Sequence, residues 1–259
     1  MIKLLDLLLE IESQKKAIVM AGGAGVGKSY FVRQIRPELN KAGWIELNAD
    51  KYVEDKEGSM YNNLAKASIQ IDKVDLPNTI KSEKNFIYDT TATNVDRIYG
   101  IKQSGYDVMM IMIYTNPIVS FLRNFKRERK VPTVGVLSSW NNIYKNIDTY
   151  KKMFGDNFYL LQSEVSDEEN KMVDEFIKAH KSDKLKEFFE SLLSSGQFKS
   201  TFKKDPTKQK SPEELAKSKQ IVDKQIDILS GQFDTIEKQV NELGSENMQS
   251  VVSKAKSFI

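Results

Sequence analysis

Gly22-Gly23-Ala24-Gly25-Val26-Gly27-Lys28-Ser29 decides the fold: a glycine, four residues, then Gly-Lys-Ser. Just before it, Ala17-Ile18-Val19-Met20 is an apolar run with glycines beyond it, as a buried strand would be. Just after it, Phe31, Ile35 and Leu39 fall four apart and mark one face of a helix ending near Gly43. Strand, glycine loop and helix in that order form the setting in which this pattern binds phosphate. Glycines let successive backbone N–H groups converge on an anion at a helix N-terminus, a lysine neutralises its oxygens, and a hydroxyl reaches a divalent cation. Residues 22 to 30, through Tyr30, are therefore the candidate nucleotide-binding loop, with Lys28 on the phosphates and Ser29 on the metal. A glycine-rich turn that binds nothing fits the motif less well than its context.

Working outward, Trp44 to Asn48, Phe86 to Tyr88, Val108 to Tyr114 and Phe158 to Leu161 are further apolar runs alternating with helix-like stretches. That alternation predicts a three-layer α/β fold with a mostly parallel, five-stranded sheet. Asn116 and Pro117 have the chemistry of an N-cap and first helical position, and the helix they open should stop before Val131-Pro132. Trp140, Ile143, Tyr144, Ile147, Tyr150 and Phe154 keep a helical period up to Gly155.

The chain has 259 residues, 40% hydrophobic and 29% charged, with a net charge of only +3, so any affinity for nucleic acid must come from a local patch. It has no cysteine and one histidine, His180, which excludes disulfides and thiolate metal sites and directs attention to carboxylates as proton acceptors. No apolar run approaches the roughly 20 residues that span a bilayer. A cytoplasmic protein without membrane attachment is the expectation.

A phosphate loop alone does not separate kinases from hydrolases or switches, so further carboxylates matter. Asp50 follows the second predicted strand at the edge where ligands bind in open α/β sheets, and could accept a proton from an attacking hydroxyl or cap the next turn. Asp89 ends Phe86-Ile87-Tyr88-Asp89, the usual address of a carboxylate that orders magnesium. Thr90, Thr91 and Asn94 follow in a polar loop suited to substrate hydrogen bonds or to capping a helix. Arg123, Lys126, Arg127, Arg129 and Lys130 crowd one helix end, with only Glu128 to offset them. A lid closing over a triphosphate supplies the anion such a cluster needs; the alternative is a solvated helix face.

With these residues together, the chain over about residues 14 to 165 resembles the P-loop kinases grouped around polynucleotide kinase and zeta toxin. The resemblance rests on Gly22 to Ser29, Asp50, Tyr88 to Asn94, and the lid ending Arg129-Lys130-Val131-Pro132. It implies that Lys28 and Ser29 bind the phosphates of ATP and Mg2+, that Asp50 is the general base, and that Arg123, Arg127 and Arg129 include the lid residues. No arginine aligns shortly after Asp50 of the kind polynucleotide kinases use, and no phosphatase domain is evident. The acceptor stays open among a nucleic-acid 5′-hydroxyl, a nucleotide sugar and a small metabolite.

Outside that core, residues 1 to 13 read as an amphipathic helix. Met1 to Glu10, ending Leu8-Leu9-Glu10, also resembles the head-targeting peptides of large tailed phages. Ser166 opens a charged helical extension over 166 to 193, and residues 194 to 210 read as a linker. Ser211-Pro212-Glu213-Glu214 is a capping box. Val222, Ile226, Leu229, Phe233, Ile236, Val240 and Leu243 then alternate spacings of four and three, a heptad seam. The seam needs a partner: a second copy, a foreign protein, or the chain's own domain. Heptad regularity points to one of the first two, giving a coiled coil through residues 211 to 243. Two functions follow: an ATP- and magnesium-dependent kinase acting on a hydroxyl, or a nucleotide-binding docking protein, phage-associated through its coiled coil.

Overall fold

The computed structural model describes residues 15–52, 66–127, 131–195 and 211–259. Five parallel strands lie in the order β2-β3-β1-β4-β5: β1 (Lys16–Ala21), β2 (Ile45–Asn48), β3 (Phe86–Asp89), β4 (Asp107–Tyr114) and β5 (Phe158–Gln162). Each expected apolar run is a strand, its ends moved by a residue at most. In β1, Ala17, Val19 and Ala21 enter one hydrophobic cluster while Ile18 and Met20 enter the other, so the strand is buried on both faces. A parallel sheet demands this, because its crossover helices cover both sides.

The helices in chain order are α1 (Lys28–Lys41), α2 (Leu76–Lys81), α3 (Val95–Gln103), α4 (Pro117–Lys126), α5 (Thr133–Tyr144), α6 (Ile147–Phe154), α7 (Asp167–Lys181), α8 (Leu185–Ser194), α9 (Pro212–Leu243) and α10 (Met248–Phe258). Asn116 caps α4 by accepting from the Ile118 N–H at 3.0 Å, with Pro117 in the first turn as expected. Where the apolar period suggested one helix through Trp140 and Phe154, there are two, broken at Lys145–Asn146. The stripe continues across the break because Ile147 and Tyr150 stay in the same core, so periodicity could not reveal it.

The C-terminal seam corrects the expectation of a second copy or foreign protein. Ile226, Leu229, Phe233, Ile236 and Val240 are buried in the same cluster as Trp140, Phe176 and Phe189. The Phe233 ring lies 5.1 Å from Phe176, 5.0 Å from His180 and 6.2 Å from Trp140. Polar contacts set the register: the Gln232 amide donates to the Asn141 carbonyl at 3.0 Å, and the Asn141 amide to the Gln225 carbonyl at 2.9 Å. A tethered helix meets its own domain at high effective concentration, and α5 with α7 offers a ready apolar face. The same cluster takes in Phe176, Leu185 and Phe189, so the hydrophobic core runs on past residue 165.

Beyond α9 the chain passes the open edge of β5, where the Glu246 N–H donates to the Leu160 carbonyl at 2.9 Å and Glu246 pairs with Leu161 in a one-residue parallel bridge. It then places α10 on the opposite face, with Val251 and Ala255 beside the α1 core. The amphipathic segment 1–13 and most of the linker lie outside the described residues.

Deleting the Phe233 ring should cost about 3–5 kcal/mol, as for other buried aromatics. Urea unfolding of Phe233→Ala measures it, and a loss below about 1 kcal/mol would show that α9 is only loosely attached.

Candidate active site

The loop between β1 and α1 is shaped by contacts that leave no room for side chains. Gly22, Gly25 and Gly27 have φ of 146°, 83° and 104°. A β-carbon on Gly25 would lie 2.5 Å from the Ser120 carbonyl oxygen, and one on Gly22 would lie 2.9 Å from that of Ile113. The scaffold behind is fixed by two buried aromatics: Tyr144 donates to the Ile113 carbonyl at 2.6 Å and Trp140 to the Thr115 carbonyl at 3.0 Å. The loop turns over α4, where the Ser120 hydroxyl donates to the Ala24 carbonyl.

A cleft of about 620 Å3 opens above the carboxyl ends of β1, β2 and β3, lined by Gly23 to Tyr30, Asp50, Asp89, Thr90, Thr91, Asn94, Arg123 and Arg127. The structure thus brings almost all the sequence-predicted residues together; Gly22 lies beneath the loop, and Arg129 is outside the described residues. Lys28 donates to the Gly22 and Gly23 carbonyls at 2.8 and 3.1 Å, and its ammonium is 4.0 Å from Asp89. Burial lowers the lysine pKa, against the pull of Asp89, and burial raises that of Asp89, against the pull of Lys28. Each group is held towards neutrality by lost solvation, a state that an incoming anion with its cation relieves.

Asn48, read in the sequence only as a strand end, links the two acidic residues: its side-chain amide donates to the Asp89 carboxylate at 3.2 Å and its side-chain oxygen accepts from the Asp50 backbone N–H at 2.8 Å. Asp50 faces Arg127 at 3.8 Å. The Thr90 hydroxyl accepts from the Ala92 N–H at 3.2 Å, and Asn94 caps α3 by accepting from the Arg97 N–H at 3.0 Å. Of the two readings offered for Asn94, the cap is the one made here.

Two further acidic residues were missed. Asp72 sits on a π-helical turn (Ile71–Asp75), accepts from the Tyr88 hydroxyl at 2.5 Å and pairs with Arg97 at 2.6 Å. Burial and this bond push the Tyr88 pKa up to about 12. A π turn leaves no sequence signal, and nothing near residue 72 suggested the cleft. Glu169, within the charged stretch that Ser166 opens, grips Arg123 in a fork, Nε to Oε1 and the terminal nitrogen to Oε2, both at 2.8 Å. The same guanidinium, expected from the sequence to belong to the lid, also donates to Ser163 Oγ and the Glu164 carbonyl. Four donor contacts hold it in place, and it cannot swing onto a phosphoryl group without breaking them.

Ser29 and Asp89 supply hard oxygen donors that suit magnesium, but among the described residues no group of three His, Cys, Asp or Glu could hold a metal alone. Phosphate oxygens and water would have to complete such a shell.

Residues 6–174, well over half the chain, match the family model described as Zeta toxin. The chain belongs to the Zeta toxin family. A structure of the PezAT chromosomal toxin-antitoxin system of Streptococcus pneumoniae is similar at 16% identity and a TM-score of 0.41, covering 68% of this chain and 92% of that one. A gluconokinase from Sinorhizobium meliloti is similar at 13% identity and a TM-score of 0.39, covering 59% and 85%. No curated protein sequence matches the chain. Membership of the Zeta toxin family makes it a P-loop, nucleotide-binding, kinase-like phosphotransferase. No helix among the described residues is long and apolar enough to cross a membrane.

Two outcomes are expected of this geometry. Gly25→Ala should lose nucleotide binding, read as a vanished thermal shift on adding ATP, because both the positive φ and the Ser120 oxygen oppose a methyl group; an undiminished shift would contradict it. The Arg123 fork holds the Glu169 carboxyl below its ordinary pKa. A depressed carboxylate contributes stability above its unfolded pKa, about 4.3, and loses it as pH falls through the lower folded value. The stability gap between the native chain and Glu169→Gln should therefore shrink below about pH 4; a gap independent of pH would refute the ionic origin.

Proposed function

We propose that this Zeta toxin family member transfers the γ-phosphate of ATP to a hydroxyl group, with Asp50 as the general base. The observation that carries the reading is that Asp50 and Asp89 line one cleft with the phosphate loop, and both are electrostatically coupled to Lys28. In this reading the triphosphate lies along the backbone of Gly23 to Ser29, extending to Tyr30, with Lys28 against the β and γ oxygens. Asp50 takes the proton of the acceptor hydroxyl, its oxygen bonds to the γ-phosphorus, the bond to the bridging oxygen breaks, and ADP departs. Arg127 stands beside Asp50, and together with Arg129 it would offset charge on the transferred group. Ser29 and Asp89 would hold magnesium, which would supply charge neutralisation on the triphosphate.

The acceptor side is the wall made by Asp50, Thr90, Thr91, Asp72, Arg97 and Arg33. Tyr30 is exposed there and Arg33 lies 5.9 Å from its ring centre, a platform suited to a ring or base. Cations and an aromatic beside the carboxylates favour an acceptor that carries phosphate, a nucleic-acid 5′ end or a nucleotide sugar, over an uncharged metabolite. The docking-protein alternative loses its main support, since the seam that was to do the docking is covered by α5 and α7.

Labelled ATP offered with magnesium to 5′-hydroxyl RNA and DNA, nucleotide sugars and small polyols tests the reading. Asp50→Asn should keep ATP affinity and lose about a hundredfold or more of transfer, and Lys28→Ala should lose both. Full transfer by Asp50→Asn would remove the base assignment, and ATP binding without any transfer would favour a nucleotide-dependent binding protein.

A further inference from the structure

Glu169 is a buried carboxylate on α7, away from Asp50 and Asp89, and the transfer chemistry does not use it. We propose that it is a positioning residue for the nucleoside half of the ATP site, acting through Arg123 to hold the loop over residues 163–165 beside the phosphate loop. The proposal rests on the nucleotide reading above.

Asp50 belongs to the β2 edge of the cleft, so a triphosphate with its transferred end towards Asp50 runs the other way, past β1 towards β4 and β5. Past the end of β4 and the first turns of α4, the next backbone on that side is the loop after β5. It is anchored at its base by the Ser163 N–H, which donates to the Tyr114 carbonyl at 2.8 Å, and Ser163 Oγ lies 3.9 Å from where a β-carbon on Gly27 would stand. Ser163 is therefore the neighbour of the N-cap of α1, on the side towards which the nucleoside half would extend.

Arg123 joins these parts. Its Cβ is 3.3 Å from the would-be β-carbon of Gly25, and its guanidinium donates to Ser163 Oγ and the Glu164 carbonyl. What fixes the plane of that guanidinium is Glu169, through the two 2.8 Å bonds. One Glu169 oxygen also accepts from the Ser166 N–H at 3.0 Å, so the carboxylate closes the far end of the same loop. A planar fork on a carboxylate holds both position and angle, which a lysine in place of Arg123 cannot reproduce.

The test compares binding of ATP with binding of inorganic tripolyphosphate, each with magnesium, by calorimetry on the full chain and on Glu169→Gln and Arg123→Lys. Tripolyphosphate needs only the phosphate loop, whereas ATP also needs the nucleoside wall. Both variants should weaken ATP about tenfold, the worth of one charged hydrogen bond, while tripolyphosphate affinity stays within about twofold. Retained tripolyphosphate binding also shows that the variants fold. Equal losses for both ligands, or no loss for either, would overturn the proposal. A native chain that binds neither ligand would overturn the nucleotide reading itself, and this proposal with it.

Discussion

The backbone of the phosphate loop passes through a gap that admits no side chain, between the end of β4 and the first turns of α4. Gly22 lies against the Ile113 carbonyl and Gly25 against that of Ser120. Buried aromatics on the far side hold the first of these oxygens in place. Tyr144 and Trp140 bind the end of β4 from behind, and these rings in turn pack on Tyr114 and Phe233. The α9 helix therefore supports the loop at one remove, through aromatics that touch both.

Around this frame, charge is arranged in two sets that differ in geometry. In the cleft, Lys28 lies 4.0 Å from Asp89 and Arg127 3.8 Å from Asp50, and Asn48 donates to the Asp89 carboxylate. Loose spacing suits groups that must exchange partners when a ligand arrives. Between α4 and α7, Arg123 and Glu169 have short, doubled contacts. The same two residue types are thus adaptable in one place and fixed in the other, according to geometry alone.

The sheet and the loop were legible because each rests on local pattern: apolar runs between glycines, and a motif whose spacing is imposed by phosphate. The carboxylates at the ends of β2 and β3 could be placed because strand ends are visible in the sequence. Arg123 could not be separated from Arg127, since four residues on one helix carry no record of which meets a carboxylate 46 positions later. Asp72 was hidden by a π turn, and the α5–α6 break by an apolar stripe that crosses it. The heptad seam was read correctly as a face in need of cover. Its partner is a tertiary matter, decided by the face that α5 and α7 left open.

The route of the last helices bears on how the chain comes to be folded. Lys16, at the start of β1, donates to the carbonyl of Phe258, and Trp44 meets the ring of that same residue. These contacts span nearly the whole sequence, with 242 positions between Lys16 and Phe258. Closing so long a loop adds little to the equilibrium cost, which grows only with the logarithm of its length, but contacts of this separation slow folding. The sheet can assemble from its own crossovers while the edge of β5 and the α1 face still wait for Glu246 and α10. In that interval an unpaired strand edge lies open to neighbouring molecules. The segment from Glu246 through α10 thereby covers part of an edge and a face that the sheet and its crossovers leave bare.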